Sequence, residues 1–536
     1  MFANAFRVRV AFIFEYIGRH PTWILVLPSG WMFWRFLPFW KDVDAVHQLI
    51  SPAWEANILH FPPIYCFGAR LPFWLADKLI SGTAPSIFDE QHPSLSAVVA
   101  LVILQHAGLW IALRYFLFSI ALSDLNRGIV TLLLASVASF YVFAHTCGSD
   151  AMIPVTWFLV FGAGYRVLTA KATWRSWVIY IAALILALGS RQINVVLLAW
   201  LPMAALILIG FRWLSRKSEV PKPVPRRGRI LAVAIAAGVA VFGIEHCLVA
   251  WLCQRFNVIE HSTFGGTLSD RIATWVNLLS PREKDRLLEK VEALTTDSKV
   301  RLAIESQIRL GPYHMGTDEV IRNALEVERS PKERIRAESD EVILRAAICF
   351  YEMLDPRLMA VILRDFARGW APTNDYRIAL SGPLETFRFA DNIERDPSPW
   401  SHLCRLPMFD ILVARIMLKK AAHDWFFRHW QGIPLLVWSG MFALVGVLRF
   451  RRCALPLDAL LIGLTVLGVG AAVYAATCLS VYSTPRYVLP LLVSVVAFGS
   501  IVFSNGPTAG TKAPALPCHG RAKQGNGMPP TYETMH

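Results

Sequence analysis

Two carboxylates two residues apart, Asp42 and Asp44, follow the first long apolar block, in the stretch WKDVDAVHQLISPAWEANILHFPPIY from Trp40 to Tyr65. A charge beside a bilayer is tolerated only where it meets water or a partner, so this loop is either solvated or working. A carboxylate held there can take the proton of a hydroxyl arriving from water or from the membrane surface. Asp44 is the first choice for that base, with Asp42 as the alternate. His60 follows, beside a stiff Pro62-Pro63 pair set among aromatics. Further along, Asp150 in TCGSDA, Arg191 in GSRQIN, and Arg486 with Tyr487 in SVYSTPRYVLP fall in short turns between apolar blocks. A guanidinium fork fits phosphate oxygens and neutralises charge building on a departing phosphate. Acids and arginines at one membrane depth therefore suit transfer from a phosphate whose lipid tail stays in the bilayer.

Each residue also has an ordinary role open to it. Asp42 and Asp44 can be a solvated loop, and Arg191 and Arg486 can be anchors at helix ends. Asp150 reads first as an N-cap favoured by the helix dipole. His60 is more commonly a structural hydrogen-bonder. Paired acids would suit Mg²⁺ or Mn²⁺. No third ligand can be assigned, so a divalent metal stays open and no metal ligand is named.

The elements that must position these residues are membrane helices. Of 536 residues 55% are hydrophobic and 17% charged, with a mean hydropathy of +0.44. The apolar residues come in blocks of roughly 20, enough to cross ~30 Å of hydrocarbon. They are continuous and do not alternate, which argues for helices and against a barrel. The fold class is an all-α polytopic bundle of about ten spans with a helical extracytoplasmic domain. The net charge of +14 invites a nucleic-acid reading. It is rejected because the basic residues sit in short loops between spans, as topology requires. The nine cysteines form no CxxC pair, so neither a zinc site nor a disulfide framework is argued. The basic start, with Arg7, Arg9 and Arg19, reads as a retained amphipathic helix on the inner surface.

The chain divides into an N-terminal membrane bundle over 1–254, containing the outer loop 41–91, and an extracytoplasmic helical domain over 255–430. C-terminal spans over 431–503 and a disordered cytoplasmic tail over 504–536 complete it. The first span covers about Pro21 to Trp40, with Arg35 snorkelling to the interface. FRWLSRKSEVPKPVPRRGR is the most basic loop and the firmest cytoplasmic anchor. Counting spans alternately from it puts both termini inside and the acid-bearing loop outside. Ser280-Pro-Arg-Glu283 and Ser330-Pro-Lys-Glu333 match the capping box at two helix starts in the soluble domain. Glu245 and His246 fall inside a span and are expected to bond to a neighbouring helix.

The same residues carry a resemblance. An Asp soon after the first span, a His three residues on (His47 after Asp44), and then FPPIY resemble bacterial GT-C glycosyltransferases. These are multi-span, polyprenyl-phosphate-sugar-dependent enzymes related to the protein mannosyltransferases and the lipid A aminoarabinose transferases. Arg486-Tyr487-x-x-Pro490 opening a last span, and a large domain between late spans, are similar to the family too. The resemblance covers about Trp23 to Phe503. It implies that Asp44 (or Asp42) is the catalytic base and that Arg486 and Arg191 contact the lipid phosphate. Tyr487, Asp150 and His60 complete the candidate substrate-binding set. The Glu that commonly follows the first acid in these enzymes is absent, since Val43 and Ala45 stand after the two aspartates. The implied partners are a polyprenyl-phosphate-linked sugar, the bilayer, and a glycan, lipid or protein acceptor. The implied place is the bacterial inner membrane, with the site facing the periplasm. A multi-span transporter or flippase is the alternative, although its charges would lie nearer mid-membrane within inverted repeats.

Overall fold

In hydrocarbon every backbone N–H and C=O must be bonded within its own segment, so a long apolar block folds as a helix. The structure is a computed structural model that describes residues 2–36, 40–41, 59, 61–82, 86–89, 95–169, 173–215, 225–310, 317–327, 332–353, 355–370, 435–452, 454–480 and 485–505. It begins with α1 (Phe2–Arg19) and α2 (Pro21–Phe36), then β1 (Trp40–Lys41), α3 (Pro63–Gly68) and α4 (Leu71–Ser81). The bundle continues with α5 (Leu95–Ser119), α6 (Asp124–Ser136), α7 (Ala138–Ala144), β2 (Thr146–Cys147), α8 (Met152–Thr169), α9 (Trp174–Leu188), α10 (Leu197–Ser215) and α11 (Pro225–Arg255). A more polar group follows: α12 (Phe264–Val276), α13 (Pro281–Leu294), α14 (Ser298–Leu310), α15 (Thr317–Val327), α16 (Lys332–Glu352) and α17 (Pro356–Trp370). Then come α18 (Leu435–Arg451), α19 (Leu457–Ser480) and α20 (Pro485–Val502).

Among the described residues five stretches are long and apolar enough to cross a bilayer: Ser96–Ser119, Ser149–Thr169, Gln192–Phe211, Arg227–Arg255 and Leu457–Ser480. Helices α6 and α7 pass the same test together, bent by 56°. The bend has a local cause, since Ser136 Oγ turns back onto Leu133 O at 2.7 Å and so competes with the helical ladder. Helix α9 and residues 488–502 are apolar but shorter. The protein is thus a predominantly helical, multi-pass membrane protein.

Hydrogen bonds sort the helix ends into two groups. Asn505 N donates to Ala121 O, and Asn126 Nδ2 to Phe503 O, tying the finish of α20 to the start of α6. Arg227 Nη2 meets Asp458 Oδ2 at 2.5 Å, joining the start of α11 to the start of α19. The turn 145–150 closes the α6–α7 pair at the opposite end. The finish of α19 and the opening of α20, with Arg486 in its first turn, lie at that opposite end as well.

The N-terminal helix does not stand alone on a surface. Helix α1 packs antiparallel along α6, and two glycines make the approach feasible. A Cβ on Gly18 would lie 1.8 Å from Asp124 O, and one on Gly128 would lie 1.9 Å from Phe14 O. Arg19 Nε closes the crossing on Asp124 Oδ2 at 3.0 Å. Arg35 falls in α2 as expected, and its side chain lies outside the described residues.

Helix α11 has 31 residues. That is about 46 Å, some 16 Å more than the hydrocarbon needs. Glu245 and His246 therefore approach its far interface, and His246 Nδ1 pairs with Glu260 Oε1 at 3.4 Å in the turn just after the same helix. For His246 the partner among the described residues is this local one and not a neighbouring helix.

In the polar group, α16 is the hub against which α12, α14 and α15 pack. The capping box at Ser280 is present, with Glu283 Oε2 accepting from Ser280 N and Ser280 Oγ, each at 2.8 Å. Ser330 lies outside the described residues. The group docks on the finish of α19 through a buried cluster. Arg271 Nη1 donates to Asp365 Oδ2 at 2.6 Å, Arg271 Nε to Cys478 O at 2.8 Å, and Tyr351 OH to Leu479 O. A C-terminal helix end carries orphan carbonyls and partial negative charge, so an arginine there satisfies both.

Candidate functional site

The turn between α7 and α8 is the floor of the site. Gln105, ten residues into α5, donates through Nε2 to Ala144 O at 3.0 Å and Thr146 O at 2.9 Å, and its Oε1 accepts from Tyr65 OH at 3.0 Å. At 1.5 Å per residue the floor thus lies about 15 Å below the first residue of α5. Tyr65, Ala69 and Phe73 pack on Ala97, Val98 and Leu101, so α3 and α4 line the wall above it.

A second buried chain runs beneath. Trp110 Nε1 donates to Ser29 Oγ at 2.8 Å, His106 Nδ1 lies 2.8 Å from the same oxygen, and His106 Nε2 lies 3.2 Å from His145 Nδ1. Ser29, His106 and His145 are fully buried. Polar groups buried in an apolar bundle are costly unless satisfied, and here they satisfy one another.

At the floor Arg191 Nη1 lies 2.5 Å from Asp150 Oδ1 and 3.4 Å from Ser149 Oγ. Asp150 is 2% exposed and Arg191 15%. The two charges touch, yet Oδ1 accepts no well-aligned hydrogen bond, so the carboxylate keeps acceptor capacity. Asp150 is therefore not the N-cap its sequence position suggests. It lies inside the 3-10 turn Ser149–Ala151, which starts from Gly148 and has no side-chain cap. Arg191 reaches it because Asn194 ties down its own turn, donating to Ala187 O at 2.7 Å and accepting from Trp157 Nε1 at 2.8 Å.

Both flanks of the acid-bearing loop are fastened to this floor. On one side β1 pairs parallel with β2, placing Trp40 on Thr146 and Lys41 on Cys147. On the other, Gln192 Nε2 donates to Leu59 O at 2.6 Å, and Tyr65 N to Gly189 O at 2.8 Å. Asp42, Asp44 and His60 lie outside the described residues. Arg486 and Tyr487 open α20 at the same end of the bundle, and their side chains also lie outside the described residues.

Arg70, between α3 and α4, adds a fully buried cation. It donates through Nη1 to Ile87 O at 2.9 Å and Asp89 O at 3.1 Å, while Nε and Nη2 find no hydrogen-bond partner among the described residues. Burial pulls its pKa down to about 10, which leaves it charged at neutral pH. Among the described residues no group of three or more His, Cys, Asp or Glu is placed to hold a metal ion.

No family model, curated protein or solved structure matches the chain. Of the candidates read from sequence, Asp150 and Arg191 are brought into contact. Gln105, His106 and His145 are not among those candidates, and Tyr65 enters there only as the end of FPPIY. Two histidines and a glutamine inside or beside apolar spans were the available signal, since polar residues at membrane depth point to buried networks.

Proposed function

We propose that this chain is a GT-C type glycosyltransferase of the cell envelope. It moves a sugar from a polyprenyl-phosphate donor to an acceptor hydroxyl on a glycan, lipid or protein. One observation supports the reading: the buried Asp150–Arg191 pair lies in the floor to which the acid-bearing loop is fastened at Cys147 and at Gln192. Asp44, or Asp42 in its place, takes the acceptor proton as the acceptor oxygen bonds to the anomeric carbon. The bond from that carbon to the phosphate oxygen breaks, and the phosphate leaves on its lipid. Arg486 and Arg191 neutralise the departing charge, and Asp150 holds the Arg191 fork in place. Tyr487 and His60 complete the substrate contacts. In this reading about ten spans cross the inner membrane of a bacterium, with both termini cytoplasmic and 255–430 outside.

The test is sugar transfer from a radiolabelled polyprenyl-phosphate donor in membranes carrying each variant. Asp44→Asn should lower the rate by a factor of ~10² to 10⁴, and Asp42→Asn should do less. A dead Asp42→Asn beside an active Asp44→Asn moves the base to Asp42. Full transfer in both variants removes the proposal's centre.

A further inference from the structure

Helix α17 carries two unlike flanks beside the face it buries. Leu358, Val361, Ile362, Asp365 and Gly369 point into the protein. Taking ~100° per residue, Arg364 and Arg368 lie on one flank and Met359 and Leu363 on the other, about 140° apart around the axis. Leu363 is 62% exposed, and both arginines are about half exposed. A helix surrounded by water gains nothing from such a split. One lying in the headgroup layer needs it, with one flank among acyl chains and the other at the phosphates.

The depth agrees. Phe366 stacks on Tyr474 with ring centroids 5.8 Å apart, and a Cβ on Gly369 would meet the same ring at 2.2 Å. Tyr474 lies about 26 Å along α19 from Leu457, against ~30 Å of hydrocarbon, which is the boundary layer. Helix α17 also packs against α18, whose Leu436, Val437 and Leu444 are exposed. The exposed apolar flank of α17 thus continues a surface already turned to lipid.

The charges at this junction do not balance among the described residues. Among the described residues Asp365 is the acid paired with Arg271, Arg364 and Arg368, at 2.6, 3.8 and 3.5 Å. Arg271 holds Oδ2, while Oδ1 accepts from Arg368 and lies near Arg364, so three guanidinium groups share one carboxylate. Arg357 on the same flank is held by Glu283. One carboxylate thus offsets only one of three positive charges, and the two half-exposed guanidinium groups carry the excess toward the phosphate layer.

We propose that α17 is a membrane-interface helix whose Arg364 and Arg368 bind the headgroups of anionic phospholipid. The proposal does not depend on the glycosyltransferase reading or on which side of the membrane the helix occupies. Ala367 lies on the exposed face between the flanks, so a photo-crosslinker there reports the lipid beside this helix and nowhere else. The full-length protein with Ala367→p-benzoylphenylalanine is irradiated in vesicles of equal phosphatidylcholine and phosphatidylglycerol, and the adducts are weighed by mass spectrometry. Phosphatidylglycerol adducts should exceed the bulk ratio, by up to about five-fold for each arginine at low ionic strength. Arg364→Gln with Arg368→Gln should return the ratio to bulk, and the paired lysine variant should keep the enrichment. Absence of any lipid adduct, or an enrichment unchanged in the glutamine variant, overturns the proposal. So does an enrichment abolished by millimolar inorganic phosphate, which would make this a site for the free anion.

Discussion

Asp150 and Arg191 sit where water scarcely reaches, so each makes the other tolerable. Removing one partner strands a buried charge, a loss of about 3–5 kcal/mol in comparable pairs. Asp150→Asn and Arg191→Gln should each lower the melting temperature in detergent markedly. Asp150→Leu combined with Arg191→Met should recover much of that loss, because exchanging both charges for apolar groups of similar size is often near neutral. Sugar transfer separates stability from function. A double variant that is stable yet inactive assigns the pair to the site, whereas a stable and active one leaves it structural. Arg191→Lys keeps the charge and loses the fork, so it should fold better than Arg191→Gln without matching the native transfer rate.

Helices α1 and α6 touch backbone to backbone, and there the glycines decide. Gly128→Ala puts a methyl where Phe14 O already stands, and no flexible side chain is available to yield. Overpacking of this kind costs about 1–3 kcal/mol, and the thermal unfolding midpoint should fall accordingly. Gly210→Ala is the control, with open space around its Cβ position. The Ser280 cap offers a pH signature. Glu283 is held below the usual carboxylate range, at about 2, first by the Ser280 backbone N–H, then by the Ser280 hydroxyl and Arg357. A depressed carboxylate adds stability that is present above its unfolded pKa, near 4.5, and lost as pH falls toward 2. Stability should therefore drop more steeply over that window in the native protein than in Glu283→Gln, as followed by circular dichroism melts.

Across the whole molecule the two ends differ in kind. One gathers Asp150, Arg191, the loop flanks and the α12–α17 group, and the other gathers the Arg227–Asp458 and Asn126–Asn505 ties. If the second end faces the cytoplasm, reporter fusions after Arg227 and Arg452 should read cytoplasmic. Fusions within residues 281–370 should then read extracytoplasmic. A cytoplasmic signal from 281–370 would overturn the common outer face and the site with it. Arg271→Ala should leave the spans inserted but loosen the polar helices from α19, because Asp365 then loses its shortest, buried partner and Cys478 O its donor. Limited proteolysis within 281–370 reports that release.

Much of this organisation was legible from residue order alone. Apolar blocks of membrane length dictate helices because nothing else satisfies a backbone in hydrocarbon. The Pro and Glu after Ser280 mark a helix start, since they meet the orphan N–H groups locally. Topological parity brings Asp150 and Arg191 to one end of the bundle. Their contact was not legible, because it needs the turn after α9 to be locked by Asn194 and the turn before α8 to be held by Gln105. Those ties link positions tens of residues apart that no local periodicity connects. The approach of α1 to α6 is of the same kind: each glycine is unremarkable in its own helix and acquires meaning only opposite the other. Sequence determined which segments are helices and how they alternate. Tertiary packing decided which side chains meet, because burial and contact are properties of pairs.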